Sequence, residues 1–177
     1  MAELDADDDY SSSGDPEEHS ISPAVFNDTV GTLGPADPLL LRETASVAEA
    51  CQRMVQARQA AVLVVDAAGK LAGIFTERDL LTRVVGRGLD PKATALANVM
   101  TRNPEVLSLS DRVAYAVHCM SVAGYRTVPL VDALQKPVGI VTVSDVIRWL
   151  AGLFPATLLN LPPGGDKLKR PGQVDSG

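Results

Sequence analysis

Aromatic side chains are scarce, at 4% of 177 residues, with a single Trp. A core built on stacked rings is excluded, and Val, Leu, Ile and Ala must do the packing that a 46% hydrophobic composition allows. Cysteine is nearly absent. Cys51 and Cys119 sit among apolar neighbours in helix-like segments, at a spacing that suggests no metal or redox site, and read as thiols in a reducing cytosol. The two histidines, His19 and His118, have no Cys or carboxylate partner at ligand spacing. No nucleophile with its base, catalytic carboxylate pair, metal-ligand set or Gly-rich phosphate loop is found, so the expectation is not an enzyme. An excess of basic charge is also missing. At a net charge of −6, nucleic acid is not an expected partner. No apolar run is long enough for a bilayer, and the opening MAELDADDDY has neither a basic n-region nor an apolar h-region. The expected location is the cytoplasm, away from membranes.

Much of the acid is concentrated at the start, from Glu3 to Glu18. Residues 1–29 read as a disordered acidic leader, with the Asp7–Asp9 run solvated rather than metal-binding. Residues 153–177 read as a Pro/Gly-rich tail, because Pro155, Pro162, Pro163 and Pro171 stop both helix and central strand. The tail's basic patch, Lys167, Lys169 and Arg170, is too short to argue for nucleic acid.

Between the tails the chain repeats itself at an offset of 66 residues, the distance from Pro38 to Pro104. At that offset Leu41 meets Leu107, Val47 meets Val113 and Met54 meets Met120. Val62, Asp66 and Lys70 meet Val128, Asp132 and Lys136. Gly73, Ile74, Thr76 and Asp79 meet Gly139, Ile140, Thr142 and Asp145. Each copy has a short extended run (39–41; 106–109), then a helix capped by Thr44 or Ser110. A fully apolar strand follows (60–65; 127–131), then a turn, a second strand (71–75; 138–141) and a closing helix (77–85; 143–150). The fold class is α+β, strand-helix-strand-strand-helix twice over. One copy of about sixty residues is marginal alone, so the two should share a core. The divisions are repeat one over 30–85, a connector over 86–98 and repeat two over 99–152.

The repeated element that carries chemistry is Gly73-Ile74-Phe75-Thr76-Glu77-Arg78-Asp79, matched by Gly139-Ile140-Val141-Thr142-Val143-Ser144-Asp145. It lies where a strand runs into a helix. A hydroxyl and an acid three residues later, beside free N–H groups, suit a phosphate and the two hydroxyls of a ribose. The same Thr-x-x-Asp also reads as a capping box whose side chains satisfy the helix start and nothing else. Both readings stay open on sequence alone.

Gly-apolar-x-Thr-x-x-Asp closing a β-α-β-β-α repeat resembles the CBS (cystathionine-β-synthase-type) domain, and the two copies together resemble a Bateman module. TERD at 76–79 and GYRTVPLVD at 124–132 are similar to stand-alone prokaryotic CBS pairs. The resemblance covers about residues 30–152. It implies two β-α-β-β-α repeats packed about a pseudo-twofold axis, with two clefts for adenosyl compounds: AMP, ADP, ATP or S-adenosylmethionine. One cleft would use Thr142, Asp145 and Arg126, closed by Pro38, Leu39 and Leu40. The other would use Thr76, Asp79 and the run from Thr101 through Pro104 to Val106. Arg126 is matched by Ala60 at the offset of 66, so the second cleft would lack that cation unless Arg78 compensates. The resemblance further implies a homodimer packed through helices, and ligand occupancy signalled to a separate effector protein. The alternative is a protein–protein interaction scaffold that takes no ligand.

Overall fold

The computed structural model describes residues 27–153. The leader before residue 27 and the tail from 154, with His19 and the Lys167–Arg170 patch, lie outside the described residues. Copy one runs β1 (Leu40–Arg42), α1 (Val47–Ala57), β2 (Ala61–Val65) and β3 (Leu71–Thr76). It closes on a helical segment that starts as α2 (Glu77–Asp79), widens into π turns over Leu80–Val84 and tightens to 3-10 geometry over Val85–Arg87. A 3-10 turn at Leu96–Asn98 leads into β4 (Thr101–Arg102). Copy two then gives α3 (Val113–Ser121), β5 (Thr127–Val131), β6 (Pro137–Thr142) and α4 (Val143–Leu153).

β2 reads AVLVV, and all five residues are buried, as a strand covered on both faces requires. β1 pairs with it in parallel and β3 antiparallel. In copy two the first strand shrinks to one parallel bridge, Leu107 to Leu130, at the position of the Leu41–Val64 pair. The turns between the paired strands are built alike. Asp66 Oδ1 accepts from the N–H groups of Ala68 and Lys70, and Asp132 Oδ1 from those of Leu134 and Lys136.

The helix starts differ from expectation. Ser46, not Thr44, caps α1, accepting from the Glu49 N–H at 3.1 Å. α3 starts after Arg112 with no capping side chain. Asp111 is instead spent on the preceding turn, accepting from the Ser108 N–H at 2.7 Å. The closing helix of copy one is not a plain α-helix, whereas α4 is regular.

The copies are stitched together by exchange of their leading segments. Val30 and Leu33, at the start of copy one and ahead of β1, lie in the core of copy two with Leu107, Val113, Val128 and Val141. Leu96, Val99 and Met100, where the connector runs into copy two, lie in the core of copy one with Val47, Val62 and Phe75. The backbone follows suit. β4 adds an edge to β3, pairing Thr101 with Ile74, and Ala36 bridges Ile140 through two hydrogen bonds of 3.0 and 3.1 Å. Between the two sheets Ala61, Leu63, Ile74 and Ile140 form a small third core. The strand leading to each strand-to-helix junction is therefore paired with the entry segment of the other copy, β3 with β4 and β6 with Ala36.

Candidate functional site

Both Thr-x-x-Asp elements close as capping boxes. Asp79 Oδ2 accepts from the N–H of Thr76 at 2.9 Å and from its hydroxyl at 2.7 Å, while the Thr76 hydroxyl accepts from the Asp79 N–H at 3.3 Å. Thr142 and Asp145 repeat this with distances of 2.8, 2.7 and 3.3 Å. Both acids are buried, each 7% exposed. A buried carboxylate has to be paired, and these are.

The second carboxylate oxygen separates the copies. Asp79 Oδ1 faces Arg83 Nε at 3.3 Å and accepts from the Thr101 hydroxyl at 3.3 Å. The same guanidinium donates from Nη1 to the carbonyls of Val99, at 3.1 Å, and Met100, at 2.7 Å. Among the described residues Asp145 Oδ1 takes only Arg148 Nη1, at 2.9 Å, from a side chain 71% exposed. At the offset of 66, the counterpart of Arg83 is Trp149 and that of Thr101 is Pro35.

A cavity of about 590 Å³ opens at the Asp79 end, within the size range of ligand pockets. Thr76, Arg78, Asp79, Thr101, Pro104 and Arg126 all line it, together with Arg83, Glu77, Glu105 and Tyr125. Both copies contribute to the wall. The cavity lining holds three guanidinium groups (Arg78, Arg83, Arg126) and three carboxylates (Glu77, Asp79, Glu105). Among the described residues neither Arg78 nor Arg126 is ion-paired. Glu105 also reaches behind the wall to Cys119. Burial pushes that thiol up, and the Glu105 charge beside it pushes the same way.

The sequence grouped Arg126 with Thr142 and Asp145, but the lining of this cavity groups it with Thr76 and Asp79. The cause is its place between the copies. Its carbonyl accepts from the Val143 N–H at 3.2 Å, next to Thr142, while the residue fronts the cavity of the other copy. On the sequence, Arg126 belongs to the other cleft and the Thr76–Asp79 cleft is expected to lack that cation; in the structure Arg126 lines the cavity at Thr76 and Asp79. Thr142, Asp145, Pro38, Leu39, Leu40 and Val106 do not line this cavity. Leu39 holds β2 instead, its carbonyl accepting from the Leu63 N–H at 2.8 Å, and Leu40 borders a shallow hollow over β1. Arg83 and Tyr125 were missed. The only sequence signal for Arg83 was its place four residues after Asp79, and for Tyr125 its place beside Arg126. Among the described residues no His, Cys, Asp and Glu cluster could hold a metal ion.

The family model of the CBS domain matches residues 30–86 and again 96–152, more than half the chain. This chain belongs to the CBS domain family. Its tandem CBS pair is 36% identical over 104 residues to the CBS domain-containing protein CBSCBSPB2 of Arabidopsis thaliana, a match of 59% of this chain and 19% of the relative. An uncharacterized protein of Methanopyrus kandleri, MK0525, is 29% identical over 120 residues, 68% of this chain and 61% of that protein. The matched stretch thus spans about a fifth of the plant relative's length. Among solved structures, the CBS domain pair of protein MJ0100 in complex with 5′-methylthioadenosine and S-adenosyl-L-methionine superposes with a TM-score of 0.64 at 26% identity, covering 71% of this chain and 98% of that one. The α+β class and the two CBS repeats expected from the sequence are borne out. No helix of the described residues is long and apolar enough to cross a membrane.

Proposed function

We propose that this CBS pair is a regulatory module that binds an adenine nucleotide or another adenosyl compound between its repeats and signals occupancy to a separate partner. The observation that carries the reading is the cavity at Thr76–Asp79, walled by both copies and carrying the guanidinium groups of Arg78 and Arg126, which have no ion-pair partner among the described residues. A buried acid beside two such cations suits a ribose next to a 5′-phosphate. The adenosyl ligands of the MJ0100 pair support the same class of compound. A homodimer belongs to this reading, because Leu81 and Ile147, at matching positions on the two closing helices, are 64% and 60% exposed.

The test is a thermal-shift and calorimetric panel of adenosine, AMP, ADP, ATP, 5′-methylthioadenosine and S-adenosylmethionine. The expected result is a rise in Tm with at least one compound, lost in Asp79→Ala and in Arg126→Ala. Unchanged melting and no heat at millimolar ligand would sink the reading.

One observation favours a second reading, a protein–protein scaffold without ligand. Both aspartates are already satisfied by their own helix starts. That reading expects no ligand response, and a stability loss of about 1 kcal/mol for Thr142→Ala as the whole role of the motif.

A further inference from the structure

Asp79 has its acceptor positions filled, and the four donors are not equal. The two on Oδ2 sit at 2.7 and 2.9 Å, while Arg83 Nε and the Thr101 hydroxyl stand off Oδ1 at 3.3 Å each. Good hydrogen bonds to a carboxylate are shorter than that, so the Oδ1 pair is the weaker pair. A ribose offers two hydroxyl donors side by side. If it docks on Asp79 it displaces the weak pair and leaves the capping box intact. Of the two groups displaced, Thr101 loses a single contact. Arg83 is also the clamp on the carbonyls of Val99 and Met100, where the connector enters copy two. Arg83 lies within the π turns at Leu80–Val84, with Nε at Oδ1 and Nη1 on both carbonyls.

Resting on the nucleotide-binding reading above, we propose that Arg83 is the positioning residue that reports occupancy of the Asp79 cleft. In the free protein it ties Asp79 to the connector. Ribose binding takes its place on Oδ1, the guanidinium swings to the 5′-phosphate within the same cavity, and the Val99–Met100 carbonyls are released. The connector is the two-state element, and the ligand biases it through one side chain. The response is one-sided. In copy two Trp149 replaces Arg83, and the exposed Arg148 on Asp145 makes no bond to a main-chain carbonyl among the described residues.

The test is amide hydrogen exchange over residues 96–102, with and without AMP, in the wild type, Arg83→Met, Arg83→Lys and Thr101→Val, with AMP and adenosine affinities measured by calorimetry. In the wild type, AMP should speed exchange at Val99 and Met100 severalfold. In Arg83→Met these amides should exchange fast without ligand and ignore AMP. The preference for AMP over adenosine should fall about tenfold, the loss of one charge-assisted contact. Arg83→Lys should recover part of that preference but not the connector response, because a lysine cannot span acid and carbonyls as a fork does. Thr101→Val should keep the response. A merely structural arginine would alter stability without changing the AMP-to-adenosine ratio. An AMP response that persists in Arg83→Met, or ligand-free exchange there that matches the wild type, overturns the latch and leaves the nucleotide reading standing. Absence of any AMP heat in the wild type overturns both.

Discussion

At Asp79 the following helix is widened and returns an arginine to the acid, the connector and the cavity together. At Asp145 the following helix is regular, and the arginine on the acid is open to solvent. The copies still share their paired antiparallel strands, their aspartate turns and their capping boxes. Duplication has kept what the fold needs in both copies, and the side chains around one acid have diverged. Asymmetry of that kind fits the proposal above of a single reporting cleft, because two identical clefts would carry one message twice.

The comparison breaks most sharply at the paired glycines. A Cβ on Gly73 would lie 2.6 Å from Met100 Sδ and 2.7 Å from the Thr101 carbonyl oxygen, so β4 would be forced off β3. A Cβ on Gly139 would first meet Leu130 Cδ1 at 3.3 Å, the end of a side chain that can yield. Urea denaturation should show Gly73→Ala losing about 3 kcal/mol, and Gly139→Ala less than about 1 kcal/mol. Equal losses would mean the two entry segments are held alike.

The exchanged segments give the next effect. Val30 is fully buried at the very start of copy one, in the core of copy two. Val30→Ala should cost about 2 kcal/mol. The loss should be visible in the fluorescence of Trp149, the chain's single tryptophan, which packs against that same core. A full-strength wild-type transition would refute the exchange.

Helix caps sharpen the contrast further. Ser46→Ala should cost about 1 kcal/mol, whereas Arg112→Ala, at the uncapped start of α3, should have little effect on the melting curve. The smallest effect is expected after α1. There Arg58 adopts φ 53° where copy two has Gly124 at φ 72°. Arg58→Gly should stabilise by about 0.5 kcal/mol and Gly124→Ala should destabilise, both read from chemical denaturation.

The repeat, its strand order and the Thr-x-x-Asp elements were legible because each rests on local chemistry: apolar runs, turn aspartates and a strand-to-helix junction. The segment exchange was legible in principle. Val30 and Leu33 stand at the same offset from Leu96 and Val99 as the rest of the repeat, but with no glycine or charge to flag them. The grouping of Arg126 was not legible, since a residue between two copies presents main chain to one and borders the cavity of the other. Nor was Arg83. Its i,i+4 spacing from Asp79 looks like any helical ion pair, and only the π geometry and the two carbonyls set it apart.

The most direct test is a crystal structure of the protein grown with AMP. The prediction is nucleotide density between Asp79 and Arg126, ribose hydroxyls on Asp79 Oδ1, and Arg83 on the phosphate. An empty cleft in saturating AMP, with Arg83 and Thr101 still on Asp79, would contradict it.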